Sequence, residues 1–283
     1  MASSTLPPIG PSAVPSARTG QISPVPRLPD EAEPARVPVG PFSVVDLPRL
    51  PLADYIARSA VAAVPSRPYL AFALHVGGLN HRTDADFVAS MRKADVIYAD
   101  GASVVGLARL AGARVIGRSV TTDLGWDVLR RLETRQGRPL RLALIGGPIG
   151  LAGEAGAVLA EKLRAQIVVA EHGYQPDWAP VVNRLRAARP DALIVGLGAP
   201  AEMRWVMQWL DRLPPTLVLT CGGWFGFLAG NERRAPAFMR AAGMEWVARI
   251  AQAPARLAPR YARGALSTAA LAAACLRSRF SSS

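Results

Sequence analysis

Short, wholly apolar runs alternate along this chain with longer stretches whose apolar residues recur every three or four positions. Runs of strand length are Tyr69 to His75 (YLAFALH), Asp95 to Ala99 (DVIYA), Leu140 to Ile145 (LRLALI), Gln166 to Ala170, Asp191 to Val195 and Thr216 to Thr220. Apolar runs this short, bounded by glycine or charged turns, read as buried strands. Helical spacing occupies 52–63 (LADYIARSAVAA), Asp84 to Lys93, Ala102 to Leu110, Leu151 to Arg164, Pro180 to Ala188 and Ala201 to Leu210. Asp84 is a candidate N-cap for the second of these. The alternation predicts an α/β fold: a Rossmann-like, mostly parallel sheet with helices on both faces. Ligands of such sheets sit at the carboxyl ends of strands, so the candidate site loops are 75–80, 100–103, 146–150, 172–174, 196–200 and 221–225.

Residues 1–43 hold many prolines and no apolar periodicity, and are expected to be disordered. The α/β domain is then expected over 44–230, a helical, arginine-rich C-terminal appendage over 231–264 and a tail over 265–283. Within the tail, Ala265 to Leu276 is apolar and alanine-rich, which fits an interfacial helix or a frayed end equally.

Charge sharpens this picture. The formal net charge is +12, and from Arg204 onward there are eleven arginines, no lysine and three acids. Guanidinium groups pair phosphate oxygens two at a time, so phosphorylated small molecules, lipid head groups and nucleic acid are all conceivable partners. The same arginines could instead pair with carboxylates of the body. No aromatic-interleaved platform or recognition-helix pattern accompanies them, so nucleic acid is not expected. The cysteines, Cys221 and Cys275, have no metal or redox spacing and read as free thiols of a reducing compartment. Residues 1–20 show no secretory signal, and no run reaches the ~18 apolar residues that cross a bilayer.

Several residues carry candidate chemistry. Gly146-Gly147-Pro148-Ile149-Gly150 joins a strand to a helix, where backbone N–H groups can approach a phosphate. Glu171 follows at the distance of the acid in a dinucleotide fingerprint, but position 145 is Ile where that fingerprint needs glycine. A ligand-free turn, a diphosphate cradle and a nicotinamide site remain open there. Asp100 follows a buried strand and precedes Gly101; it can be a general base or a helix cap. His75 and His172 end strands on the site side, and with His81 they make no metal spacing. Asp84-Ala85-Asp86 spells a D-x-D sequence, yet at a helix start. No G-x-S-x-G, phosphate-loop lysine motif or C-x-x-C pair occurs.

In chain order these pieces resemble the WecG/TagA/CpsF glycosyltransferases, glycosyltransferase family 26, over about residues 70–264. Ala94 to Gly101 (ADVIYADG) is similar to the family's "aDlvipDG", Leu144 to Pro148 to "flLGG.p", and His172-Gly173-Tyr174 to "hGyf". Gly196 to Pro200 is similar to "vaLGsPkQE". Gly222-Gly223, Phe225, Phe227 to Gly230 and Arg234-Ala235-Pro236 match "GvGg.fdflaG...RAP". Met244-Glu245-Trp246, Arg249, Pro254, Arg256-Leu257 and Arg260-Tyr261 match "GLEWlyRl..eP.Rl.rRY".

The resemblance implies an inverting, metal-independent transfer of a hexose, N-acetylmannosamine-like or related, from a UDP-sugar to a polyprenyl-diphosphate-linked acceptor. It implies cell-surface polysaccharide synthesis at the inner face of a bacterial plasma membrane, an anionic surface the appendage would contact. No cofactor is implied, and a homo-oligomer is left open. Asp100 stands at the family's base, with His75 as second candidate catalytic residue. Candidate substrate contacts are Gly101, Asp123, Gly146, Gly147, Pro148, His172, Gly198, Pro200, Glu202, Gly222 and Gly223, with Arg234, Arg249, Arg256 and Arg260 for the diphosphate. The chain departs from the family's "T-x-N" at Ala73-Leu74-His75 and from its "G-x-D" at Thr121-Thr122-Asp123. It departs from "P-k-Q-E" at Pro200-Ala201-Glu202-Met203, where Glu202 replaces a glutamine near the donor. Competing readings are a nicotinamide-dependent oxidoreductase and a degenerate, non-catalytic sugar-nucleotide-binding protein.

Overall fold

The computed structural model describes residues 33–63, 67–241 and 243–280. Its elements, in chain order, begin with a hairpin of β1 (Arg36–Val39) and β2 (Phe42–Val45), then α1 (Arg49–Ala63) and β3 (Tyr69–Leu74). Next come α2 (Val76–Leu79), α3 (Ala85–Arg92), β4 (Val96–Ala99), α4 (Ala102–Leu110) and α5 (Thr121–Gln136). The central region continues with β5 (Leu140–Gly146), α6 (Leu151–Lys162), β6 (Ala165–Glu171), α7 (Ala179–Ala188), β7 (Ala192–Gly196), α8 (Ala201–Trp209) and β8 (Leu217–Thr220). The C-terminal part is α9 (Trp224–Leu228), α10 (Ala237–Ala241), α11 (Glu245–Gln252) and α12 (Pro254–Phe280).

Six strands form one sheet in the order β4-β3-β8-β7-β5-β6, and every neighbouring pair is parallel. Period-two alternation sorts the strand residues onto two faces. Leu70, Phe72 and Leu74 of β3 join Ile97, Ile145, Leu193 and Val218 in a core closed by the hairpin, α3, α4, α7 and α8. Tyr69, Ala71 and Ala73 join Tyr98, Leu142, Ile194 and Leu219 in a second core closed by α1, α5, α6 and α9. The strands in the middle are therefore apolar on both sides, which is why they read as continuous runs rather than alternating ones.

Three features depart from the reading of the sequence. Of the stretch expected to be disordered, residues 1–32 lie outside the described residues, but 36–43 belong to the hairpin. There Val37, Val39, Phe42 and Val44 alternate inward on β-branched and aromatic side chains. Helix α5 was not anticipated because it is polar overall. Its buried stripe, Leu124, Val128, Leu129 and Leu132, is nonetheless at helical spacing. Finally, α12 runs 27 residues without a break at 264, about 40 Å. Its far half packs on the body: Leu271 lies against Gly40 of the hairpin turn, and Cys275 Sγ lies 3.3 Å from the Leu110 carbonyl.

Phe72 is fully buried in a sheet strand with helices packed beyond it. Phe72→Ala is expected to lower unfolding free energy by about 3–5 kcal/mol, measured by denaturant titration with an unchanged m-value.

Candidate functional site

A cavity of about 1030 Å³ opens where the carboxyl ends of β3, β4, β7 and β8 face the C-terminal helices. The loops after those strands supply its floor. Residues 232–235, α11 and the first half of α12 supply its roof.

Asp100 follows β4, and its amide donates to the Leu74 carbonyl of β3 at 2.9 Å, which sets the turn. Its Oδ2 accepts from the Thr121 hydroxyl at 2.9 Å and from the Thr121 amide at 3.4 Å. That hydroxyl lies 2.8 Å from the Tyr98 hydroxyl, which donates to the Thr220 carbonyl at 3.1 Å. The start of α5 thus holds Oδ2 from behind, and among the described residues nothing donates to Oδ1. Burial raises the Asp100 pKa above the ordinary carboxylate range, while the bonds from Thr121 and the charge of Arg249 work against the rise.

His75 ends β3 and caps α2: its Nδ1 accepts from the Gly78 amide at 3.2 Å. The same nitrogen lies 3.2 Å from an Arg260 guanidinium nitrogen. Both neighbours donate, so Nδ1 is the bare nitrogen and Nε2 carries the proton. Burial, then Arg260 and Arg249, push the His75 pKa down to about 3, so the ring is neutral through the physiological range. Gly77 makes the contact sterically feasible, because a Cβ there would overlap the guanidinium.

The roof is tied to the floor by a chain of alternating charges. Arg118 pairs with Glu245 at 2.7 Å, Glu245 with Arg234 at 3.8 Å, and Arg234 with Asp123 at 2.8 Å. Asp123 continues to Arg49 at 3.5 Å, and Arg49 to Asp127 at 3.0 Å. Arg249 lies 3.6 Å from Glu232 and sits over the Phe227 ring at 5.5 Å. Among the described residues no carboxylate lies within ion-pair distance of Arg260, which faces the cavity beside His75.

The cavity brings together Asp100, His75, Gly101, Gly198, Gly222, Gly223, Arg234, Arg249 and Arg260 from the sequence-derived set. Asp123 sits behind its rim, occupied by Arg234 and Arg49. Glu202 lies beneath the floor, fully buried, and Pro200 precedes it at the start of α8. Gly146, Gly147, Pro148 and His172 do not line the cavity. They follow β5 and β6 on the other side of β7, where loops brace each other: the Gly147 amide donates to the Gly196 carbonyl at 3.2 Å, and the Gly173 amide to the Gly147 carbonyl at 2.8 Å. His172 Nδ1 accepts from the Tyr174 amide at 3.1 Å. The Arg256 side chain falls outside the described residues. Tyr98, Arg118 and Glu232 were not singled out from the sequence, and Thr121 was noted only as a departure from the family pattern, not as the partner of Asp100. Among the described residues no three His, Cys, Asp or Glu side chains gather as a metal site.

The parallel sheet, the carboxylate after β4 and the arginine-bearing roof make a Rossmann-like fold with its cavity at the carboxyl ends of the strands. The family model described as "Glycosyl transferase WecG/TagA/CpsF family" matches residues 42–282, and the chain belongs to that family. Two curated relatives, from Bacillus spizizenii and Bacillus subtilis, are both named N-acetylglucosaminyldiphosphoundecaprenol N-acetyl-beta-D-mannosaminyltransferase. The first is 27% identical over 178 residues, 60% of this chain and 65% of the relative. The second is 27% identical over 175 residues, 61% of this chain and 67% of the relative. The matched region thus spans about two thirds of each relative's length.

Gly77→Ala is expected to push the Arg260 guanidinium away from His75 at a cost of about 1–3 kcal/mol of overpacking. Loss of that neighbouring cation raises the His75 pKa from about 3, a change that imidazole NMR titration reads directly. An unmoved His75 titration in a folded variant would show that Arg260 does not set it.

Proposed function

We propose that this protein is an inverting hexosyltransferase that moves an N-acetylmannosamine-like sugar from a UDP-sugar to a polyprenyl-diphosphate-linked acceptor. The observation that carries the reading is the position of Asp100: a half-buried carboxylate at the cavity with one oxygen held by Thr121, facing a roof that presents Arg249 and Arg260. Membership of the family and the names of the two relatives support it. So does the cavity, whose volume suits a sugar nucleotide together with the end of an acceptor.

In this reading Asp100 takes the proton from the acceptor hydroxyl as that oxygen attacks the anomeric carbon of the donor. The carbon–oxygen bond to the nucleotide breaks on the opposite face, and configuration inverts. The electron pair leaves with the UDP diphosphate, whose negative charge meets Arg249 and Arg260 rather than a metal ion. Fixed cations aimed at developing charge in a part-dry site are a large catalytic contribution. His75, neutral and with Nε2–H available, donates a hydrogen bond to the diphosphate or the sugar. Asp100 must be ionised to act, and burial raises its pKa, so the rate rises as pH increases through that raised value.

The expected result for Asp100→Asn is a 10²- to 10⁴-fold loss of turnover with UDP affinity little changed. UDP release would be followed with a panel of UDP-sugars and a short polyprenyl-diphosphate glycan, in excess EDTA. Turnover within threefold of wild type would remove Asp100 from the role of base, and activity restored only by Mg²⁺ or Mn²⁺ would remove the metal-free reading.

We further propose that the appendage rests on an anionic membrane, at the cytoplasmic face where such acceptors are built. Among the described residues no helix is long and apolar enough to cross a membrane. The appendage does expose Phe238 at 73%, Trp246 at 48% and Leu266 at 73%, set among arginines. Apolar rings and guanidinium groups together suit a surface with an acyl boundary beneath charged head groups. Phe238→Ser combined with Arg263→Ala should weaken co-sedimentation with phosphatidylglycerol-containing vesicles by on the order of tenfold to a hundredfold at low salt. Sedimentation equal to wild type would mean that this surface does not hold the membrane.

A further inference from the structure

Glu202 occupies the first turn of α8 and is fully buried beneath the cavity floor. Its Oε2 accepts two backbone hydrogen bonds, from the Gly198 amide at 3.0 Å and the Gly222 amide at 3.2 Å. One amide belongs to the loop after β7 and the other to the loop after β8, and both glycines line the cavity. Their φ values, +75° and +52°, lie in the left-handed region, so each turn is a glycine turn that aims its N–H inward. Among the described residues Oε1 is buried and has no hydrogen-bond partner. A carboxyl with one doubly engaged oxygen and one bare buried oxygen is badly satisfied as packing, because an unmet buried polar atom costs free energy.

We propose that Glu202 is a positioning residue: it clamps the two glycine loops of the site on one carboxyl oxygen and, by binding or releasing a proton on the other, adjusts the basicity of Asp100. The second half rests on the reading of Asp100 as the base. The groups that face Glu202 are Asp100 and Tyr98 from β4, Cys221 after β8 and Arg260 of α12. Tyr98 and Cys221 are pushed up by burial and stay neutral, and Arg260 stays charged. Burial pushes Glu202 up to about 7, against the pull of the two amides and of Arg260, and Asp100 adds to the rise. Glu202 therefore changes charge near neutral pH. Below about 7 it is neutral, with its proton on Oε1 because Oε2 faces two donors. Above that pH it is an anion: both amide bonds strengthen, and its charge raises the proton affinity of Asp100.

Glu202→Gln tests this, since the glutamine keeps one carbonyl oxygen for the two amides and cannot ionise. In the pH profile of kcat/KM, the wild type should show an inflection near 7 that the variant lacks. A second readout needs no activity. The folded carboxyl titrates near 7 and an unfolded glutamate near 4.5, so the folded protein binds more protons between those values. On this account the contribution of Glu202 to stability falls as pH rises from 4.5 to 7 and is level above. The drop in melting temperature from pH 5 to pH 8 should be smaller in the variant by on the order of 5 °C. Superimposable melting profiles overturn the buried ionisation, and superimposable rate profiles overturn the coupling to Asp100. The melting signature without transferase turnover on any donor would uphold the clamp while sinking the proposed reaction.

Discussion

The close approach of α12 to the short helix α2 is the contact on which the site depends. Two glycines permit it. Gly77 lets the Arg260 guanidinium lie on its backbone, and Gly264 leaves room for Val76. The Asn80 side-chain amide then donates to the Arg260 carbonyl at 3.0 Å, and Ser267 joins Asn80 and Arg82 at 3.2 and 2.6 Å. These bonds fix the backbone that carries the arginine, so its guanidinium sits over the end of β3 rather than in solvent. The neutrality of His75 is part of the same contact, because a protonated ring would place two cations side by side in a buried setting.

Ion pairing explains how the cations are divided. The acids at the rim are committed to tying roof to floor, Glu245 to Arg118 and Arg234, Asp123 to Arg234 and Arg49. A single exposed pair of this kind contributes about 0–1 kcal/mol, but a continuous network fixes orientation across several elements at once. With those carboxylates engaged, Arg260 reaches the cavity with no carboxylate within ion-pair distance among the described residues.

Much of the fold was legible because a parallel sheet covered on both faces writes itself as repeated apolar runs, and all six of those runs are strands. What escaped had a weaker signature. The hairpin lies where proline and charge dominate, and only the alternation of Val37, Val39, Phe42 and Val44 marks it. Helix α5 hides its apolar stripe among charged residues, and with it went Thr121, the residue that orients Asp100. Of the site, glycines and charged residues at the ends of β3, β4, β7 and β8 were readable from position alone. The turn at Gly146 to Pro148 was readable as a turn but not as part of the cavity. Whether a strand-end loop borders a cavity depends on the order of strands in the sheet, and here β5 and β6 lie at the end of the sheet opposite β4.

In the proposed reaction, proton chemistry and charge neutralisation reside on different parts of the chain. The carboxyls, Asp100 and Glu202, are anchored to sheet ends and to the first turns of α5 and α8. Burial moves their proton affinities upward, and the Thr121 hydroxyl holds Oδ2 of Asp100. The guanidinium groups are delivered by α11 and α12, which join the body through glycine contacts, rim ion pairs, the hydrogen bonds of Asn80 and Ser267, and the packed far half of α12. In the proposed reaction both must meet the substrate together: the base alone would leave the departing diphosphate charge uncompensated, and the arginines alone would bind nucleotide without activating an acceptor. The lost side chains at Gly77 and Gly264 matter for that reason, since a roof held further away would separate the two functions by more than hydrogen bonds can span.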